Sequence, residues 1–166
     1  MKKTITLLSI ICMCFLCACG ISKEKMVEML NLSKEKTTQY MDYAMANDID
    51  AMYGMMYPGI YEQKQFTEAF ADLEEYCSVA DSYELKILEY DVYSSSGNND
   101  DIIFANYEME NGGKKLYLLT QYRVTDEAEG FRGFNILTEE VYQEMLKDQK
   151  KNNSPINFSI KIIPPN

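Results

Sequence analysis

The sequence predicts an α+β domain in which N-terminal helices pack on a curved antiparallel sheet, with a C-terminal helix and strand added. Three observations predict it. Apolar residues recur at helical spacing up to Cys77, then at every second residue from Tyr83 onward. "NGG" at 111–113 separates two alternating runs, and Asn-Gly accepts the positive φ of a hairpin turn. Between Ile87 and Leu88 the alternation slips by one residue, as it does where a β-bulge bends a strand. The 166 residues, 46% apolar and 25% charged, suit one globular domain plus an address segment.

The elements follow in order. From about Lys23 to Ala46, Met26, Leu30, Tyr40, Met41 and Ala44 share one helical face, weakly through Ser33 to Thr38. Asn47-Asp48 breaks this helix, Asp50 to Met56 reads as a second, and "YPG" at 57–59 ends it. Phe66, Ala69, Phe70, Leu73, Tyr76 and Cys77 mark a third helix from Gln63 to Cys77. Strands are expected at Tyr83 to Tyr93, Ile102 to Glu110, Lys115 to Val124 and 130–137, where Gly133 marks a bend or a close backbone approach. Thr138 is placed to cap a helix running to about Lys151, and Ile156 to Ile163 forms a last strand. "SSSGNNDD" at 94–101 reads as a turn; it lacks the spaced ligands of a calcium loop.

The N-terminus has a different design. Lys2 and Lys3 precede an apolar run from Ile5 to Phe15, which is too short to span a bilayer but has the dimensions of a secretory signal. Leu16-Cys17-Ala18-Cys19 then resembles the bacterial lipobox, with leucine at −3, a small residue at −1 and an acceptor cysteine. The resemblance implies diacylglycerol on Cys19 and cleavage after Ala18. Residues 1–18 are then the signal peptide, 19–22 the lipidated cysteine and tether, and 23–166 the domain. Cys14 and Cys17 are alternative acceptors with poorer preceding triplets. An uncleaved signal anchor is the plain alternative, and the short apolar run speaks against it. The expected location is the extracytoplasmic face of the cell membrane, or an outer membrane where the host has one. Two acyl chains anchor stably where one does not.

Charge and cysteine content narrow the field. The formal net charge is −10, and losing residues 1–18 with their two lysines makes it about −12. Such a surface repels nucleic acid, so none is expected as a partner. Beyond Cys19 only Cys77 remains, so an internal disulfide is impossible and the domain must fold on its apolar core. Cys77 lies on an apolar helical stripe and reads as a buried, inert thiol.

Three helices followed by a bent antiparallel sheet resemble the nuclear transport factor 2-like family, over about Ser33 to Leu137. The carriers are "YAMANDIDAMYGMMYPG" (43–59), the "NGG" hairpin and "GFRGFNI" (130–136), where Phe131 stands at a position many members fill with tryptophan. The resemblance implies a cone-shaped fold. Some enzymes of this class pair a carboxylate base with a tyrosine in the cone. Here Asp91 with Tyr107, Tyr117 or Tyr122 is the matching set, a remote isomerase- or dehydratase-like alternative.

The chain has no histidine, which removes histidine-dependent nucleophilic schemes, and no phosphate-cradling glycine motif. No cofactor, metal or catalytic residue is expected. What remains is a bias toward tyrosine and methionine. It fits a cone mouth lined by some of Tyr57, Tyr90, Tyr107, Tyr117 and Tyr122, holding a small apolar or carbohydrate ligand. Plain packing fits it too, since methionine fills irregular gaps where helices meet a curved sheet. The functional expectation is a ligand-binding or envelope-assembly module. A protein-interaction or dimerisation domain, with an envelope protein as partner, is the alternative.

Overall fold

The structure, a computed structural model, describes residues 21–71, 77, 83–95, 99–111, 113–152 and 160–163. The signal segment and Cys19 lie outside the described residues. Helix α1 (Lys23–Met45) is capped by Ser22, whose Oγ accepts from the Lys25 amide at 3.1 Å. Asn47, at φ 53°, turns the chain, and Asp48 caps α2 (Ile49–Gly54) through the Ala51 amide at 3.0 Å. Helix α3 spans Gln63–Ala69; of its expected continuation to Cys77, residues 72–76 lie outside the described residues, and Cys77 itself is helical. Its last turn tightens, with the amides of Phe70 and Ala71 bonded to the carbonyls of Thr67 and Glu68. That turn ends the helix while both Phe66 and Phe70 stay buried.

The strands β1 (Glu84–Ser95), β2 (Asp100–Asn111), β3 (Lys114–Val124) and β4 (Glu129–Thr138) form an antiparallel meander in the order β1-β2-β3-β4. The bulge falls where the alternation slips: pairing with β2 jumps from Ile87 to Glu89, leaving Leu88 as the extra residue. A second irregularity lies in β4. Gln121 faces Gly133 and Tyr122 faces Phe131, so Arg132 is inserted. Helix α4 (Glu139–Asn152) follows β4 directly. The expected cap is not made, because the buried Thr138 hydroxyl has no hydrogen-bond partner; Glu139 and Glu140 meet the helix dipole instead. The last strand, β5 (Ile160–Ile163), joins β4 in parallel; residues 156–159 of the apolar run that predicts it lie outside the described residues. The fold class is therefore α+β.

Strand alternation gives the sheet two faces. On the inner face α1 to α3 cover Leu85, Ile103, Tyr107, Leu118, Tyr122, Phe131 and Phe134, all buried. Tyr40 of α1 stacks on Phe134 at 3.9 Å and meets Phe131 edge-on at 5.2 Å. Met41, Met52 and Met56 are buried in the same cluster, with Met45 and Met55 at its margin, as gap-filling methionines should be. The polar stretch that weakens the stripe of α1 has a purpose: Ser33 Oγ hydrogen-bonds the buried Tyr107 hydroxyl at 2.9 Å. On the outer face α4 covers only one end, where Tyr117, Leu119, Leu137 and Tyr142 form a small second cluster.

Candidate functional site

At the other end of the outer face, the segment between α2 and α3 is sewn to the start of β4. The Phe131 amide donates to the Met55 carbonyl at 2.9 Å, and the Tyr57 amide donates to the Phe131 carbonyl at 2.8 Å. Gly130 makes this possible. A Cβ there would stand 2.5 Å from the Tyr57 nitrogen and 2.7 Å from the Met56 carbonyl carbon, which no side chain tolerates. Gly130 makes this close approach, while the irregularity beside Arg132 supplies the bend expected at Gly133. Gly59, at φ 75°, then reverses the chain toward α3.

This stitching holds three tyrosines together. Tyr53 Oη donates to the Tyr61 carbonyl at 3.0 Å, and Tyr61 Oη donates to the Arg132 carbonyl at 2.9 Å. Tyr57 Oη lies 3.4 Å from Thr125 Oγ1. With Met56 and Pro58 they line an open pocket of about 210 Å³. The chain's two arginines stand beside it. The Arg123 guanidinium lies 4.8 Å above the Tyr57 ring and holds Asp100 with two hydrogen bonds of 2.8 Å. That bidentate pair keeps the Asp100 carboxyl below its ordinary range, with the more distant Arg132 adding to the effect. Burial pushes the Tyr61 phenol up, and the Arg132 charge opposes it. Arg132, half-buried, has no ion-pair partner among the described residues, and its Nε is buried with no hydrogen-bond partner. Chemically the cluster offers aromatic faces and positive charge. Its carboxylate is already neutralised.

The five tyrosines expected at a common mouth occupy four environments instead. Tyr107 and Tyr122 are buried in the inner core, where desolvation raises both phenols. Tyr117 stacks on Tyr142 at 4.1 Å beneath α4. Tyr90 is exposed on β1, and Tyr57 alone reaches the pocket. Asp91 is exposed, accepts from the Val92 amide at 3.0 Å, and lies on the face opposite Tyr107 and Tyr122, while Tyr117, on its own face, donates to Glu108 at 3.5 Å instead, so the carboxylate–tyrosine pair does not form. Asp100 and Asp101, the acidic end of "SSSGNNDD", face Arg123 and Lys25, the latter at 2.9 Å. Cys77 is buried, which pushes its thiol up to about 12. Tyr53, Tyr61, Arg123 and Arg132 were not singled out by sequence. The four-residue spacing of Tyr53, Tyr57 and Tyr61, and a pair of arginines flanking one β-hairpin, were the available signals.

Among the described residues no group of three or more histidine, cysteine, aspartate or glutamate side chains could hold a metal ion, and no helix is long and apolar enough to cross a membrane. No protein family, curated protein or solved structure matches this chain.

Proposed function

We propose that the protein is a bacterial lipoprotein, anchored through diacylglycerol on Cys19 to the extracytoplasmic side of the envelope, and that it acts as a binding module. The lipobox-like "LCAC" supports the anchor, and helices followed by a bulged antiparallel sheet support a nuclear transport factor 2-like domain. The observation that carries the binding role is the tyrosine pocket beside Arg123 and Arg132, because the inner face that would form a cone is filled by Tyr40, Tyr107, Tyr122 and Phe134. A volume of about 210 Å³ falls below that of most drug-sized sites and suits a ligand of one ring, such as a monosaccharide. Tyrosine faces stack on such a ring, and arginine bonds its hydroxyls or an acidic substituent.

Two experiments test this. Replacing Cys19 by alanine should abolish incorporation of labelled fatty acid; unchanged labelling moves the acceptor to another cysteine. Titrating the domain with neutral and acidic monosaccharides, followed by NMR, should shift signals of residues 53–61, and Tyr57→Ala should remove those shifts. Shifts that survive Tyr57→Ala place binding elsewhere.

Association through the sheet is the second reading, favoured by one observation: β1 has an open edge. The bulge at Leu88 and the exposed Glu84, Lys86, Glu89 and Asp91 blunt that edge against strand addition. Sedimentation of the unacylated domain decides between them, and a monomer is expected.

A further inference from the structure

Among the described residues, the large apolar side chains left exposed are Val27 at 49%, Leu88 at 40%, Tyr90 at 39% and Tyr93 at 57%. All four lie on the first turns of α1 or on β1, although the described residues include seven other helices and strands. The two elements are tied together at this place. Lys25 Nζ meets Asp101 Oδ2 at 2.9 Å, Asp101 pairs with Ser94 of β1, and Tyr90 Oη points at Met26 Sδ from 3.8 Å. Val27 lies on the flank of α1 that faces β1, since Thr38, eleven residues on and so three turns along, accepts from Tyr83 Oη through its carbonyl. Val27 and Tyr90 therefore lie near the end of the molecule where α1 begins, with Leu88 two residues further back along β1 and Tyr93, opposite Ile102, on the other face of the same edge strand.

That end is also where the anchor attaches. Four residue steps separate Cys19 from Lys23, so even fully extended they span only about 14 Å. Val27 lies about 6 Å further along the helix. The headgroup layer on each side of a bilayer is itself roughly 5–7 Å deep. An acylated Cys19 thus holds Val27, Tyr90 and Tyr93 within reach of the membrane–water boundary, where tyrosine is favoured.

We infer that this edge, formed by Val27, Leu88, Tyr90 and Tyr93, docks on the bilayer, so that the tethered domain sits in a fixed orientation with its first helix toward the lipid. The inference rests on the anchor proposed above. A protein partner fits less well. The four side chains expose roughly 350 Å² together, well short of the ~800 Å² each partner buries in a standard protein interface. A tethered domain needs no such area, because its local concentration at the membrane is already high. The exposed Glu24, Glu28, Glu89 and Asp91 flank the patch, so docking should weaken as anionic lipid is added. A basic surface would behave in the opposite way.

The chain contains no tryptophan, so one introduced residue reports alone. The full chain carrying Tyr90→Trp is purified from membranes, its acylation is read by mass spectrometry, and the same sample is reconstituted in phosphatidylcholine vesicles containing brominated acyl chains. Trp emission should shift to the blue and be quenched by the bromolipid, while Tyr43→Trp, on the far half of α1, should show neither change. Adding Val27→Ser and Leu88→Ser should remove the quenching with acylation intact. An acylated sample whose reporter at 90 is unquenched overturns the docking and leaves the anchor standing. A blue shift without quenching also overturns it, in favour of a protein cover. An unacylated sample from the membrane overturns the anchor and the docking together.

Discussion

On the inner face of the sheet, Tyr107 is fully buried and its hydroxyl is held by Ser33; on the outer face, Tyr57 lies under the Arg123 guanidinium at the rim of an open pocket. Both are tyrosines within a chain rich in them, and their roles differ because their surroundings do. The inner face meets three helices and closes into one aromatic and methionine core. Among the described residues the outer face has a single helix at one end, so the other end keeps partly solvated rings, paired charges and an Arg132 without an ion-pair partner. Stability belongs to the first surface and the proposed recognition to the second.

Substitutions can break that division. The largest loss is expected at Phe134, which stacks on Tyr40: Phe134→Ala should cost about 3–5 kcal/mol, read from the denaturant midpoint, without altering Tyr57. Alkali should attack the same face. The buried Cys77 thiol, raised from 9.0 to about 12, keeps its proton in the folded chain when the unfolded chain has lost it. The stability this contributes is whole below pH 9.0 and drains away as pH rises to about 12, by a few kcal/mol at the upper end. Burial raises Tyr40, Tyr107 and Tyr122 in the same sense. Chemical denaturation at stepped pH should show the decline, and Cys77→Ala should flatten part of it.

A third change tests the seam between the faces. Gly130→Ala forces its Cβ onto the backbone of Met56 and Tyr57, so a loss of about 2–3 kcal/mol is expected along with shifted NMR signals at residues 55–61. Smallest is Arg123→Gln. Its partner Asp100 is partly solvated, so stability should move by less than about 1 kcal/mol while ring binding at Tyr57 weakens. A large stability loss there would mean that the cluster is structural.

The sequence made the inner face readable because burial imposes periodicity. Met41, Ala44, Phe66 and Phe70 recur at helical spacing, and the slip after Ile87 marked the bulge to the residue. Alternation alone does not put Phe131 and Phe134, three residues apart, on one face. Both point inward only because Arg132 is inserted between them; Gly133 marked a bend there, but not which residue would be extra. The parallel pairing of β5 was equally hidden, since alternation carries no direction. The site was least legible. It depends on residues 55–57 meeting β4 some seventy positions later, a contact visible in sequence only as a glycine at 130. Tyrosine compounds the difficulty, because the same side chain serves equally under a helix, as at Tyr117, or at a rim, as at Tyr57.

The account turns on where the polypeptide begins in its native host and what that first residue carries. Intact-mass spectrometry of the membrane fraction should find a chain starting at Cys19, heavier by a diacylglycerol on sulfur. A main species that retains residues 1–18 and has no lipid on any cysteine would contradict it.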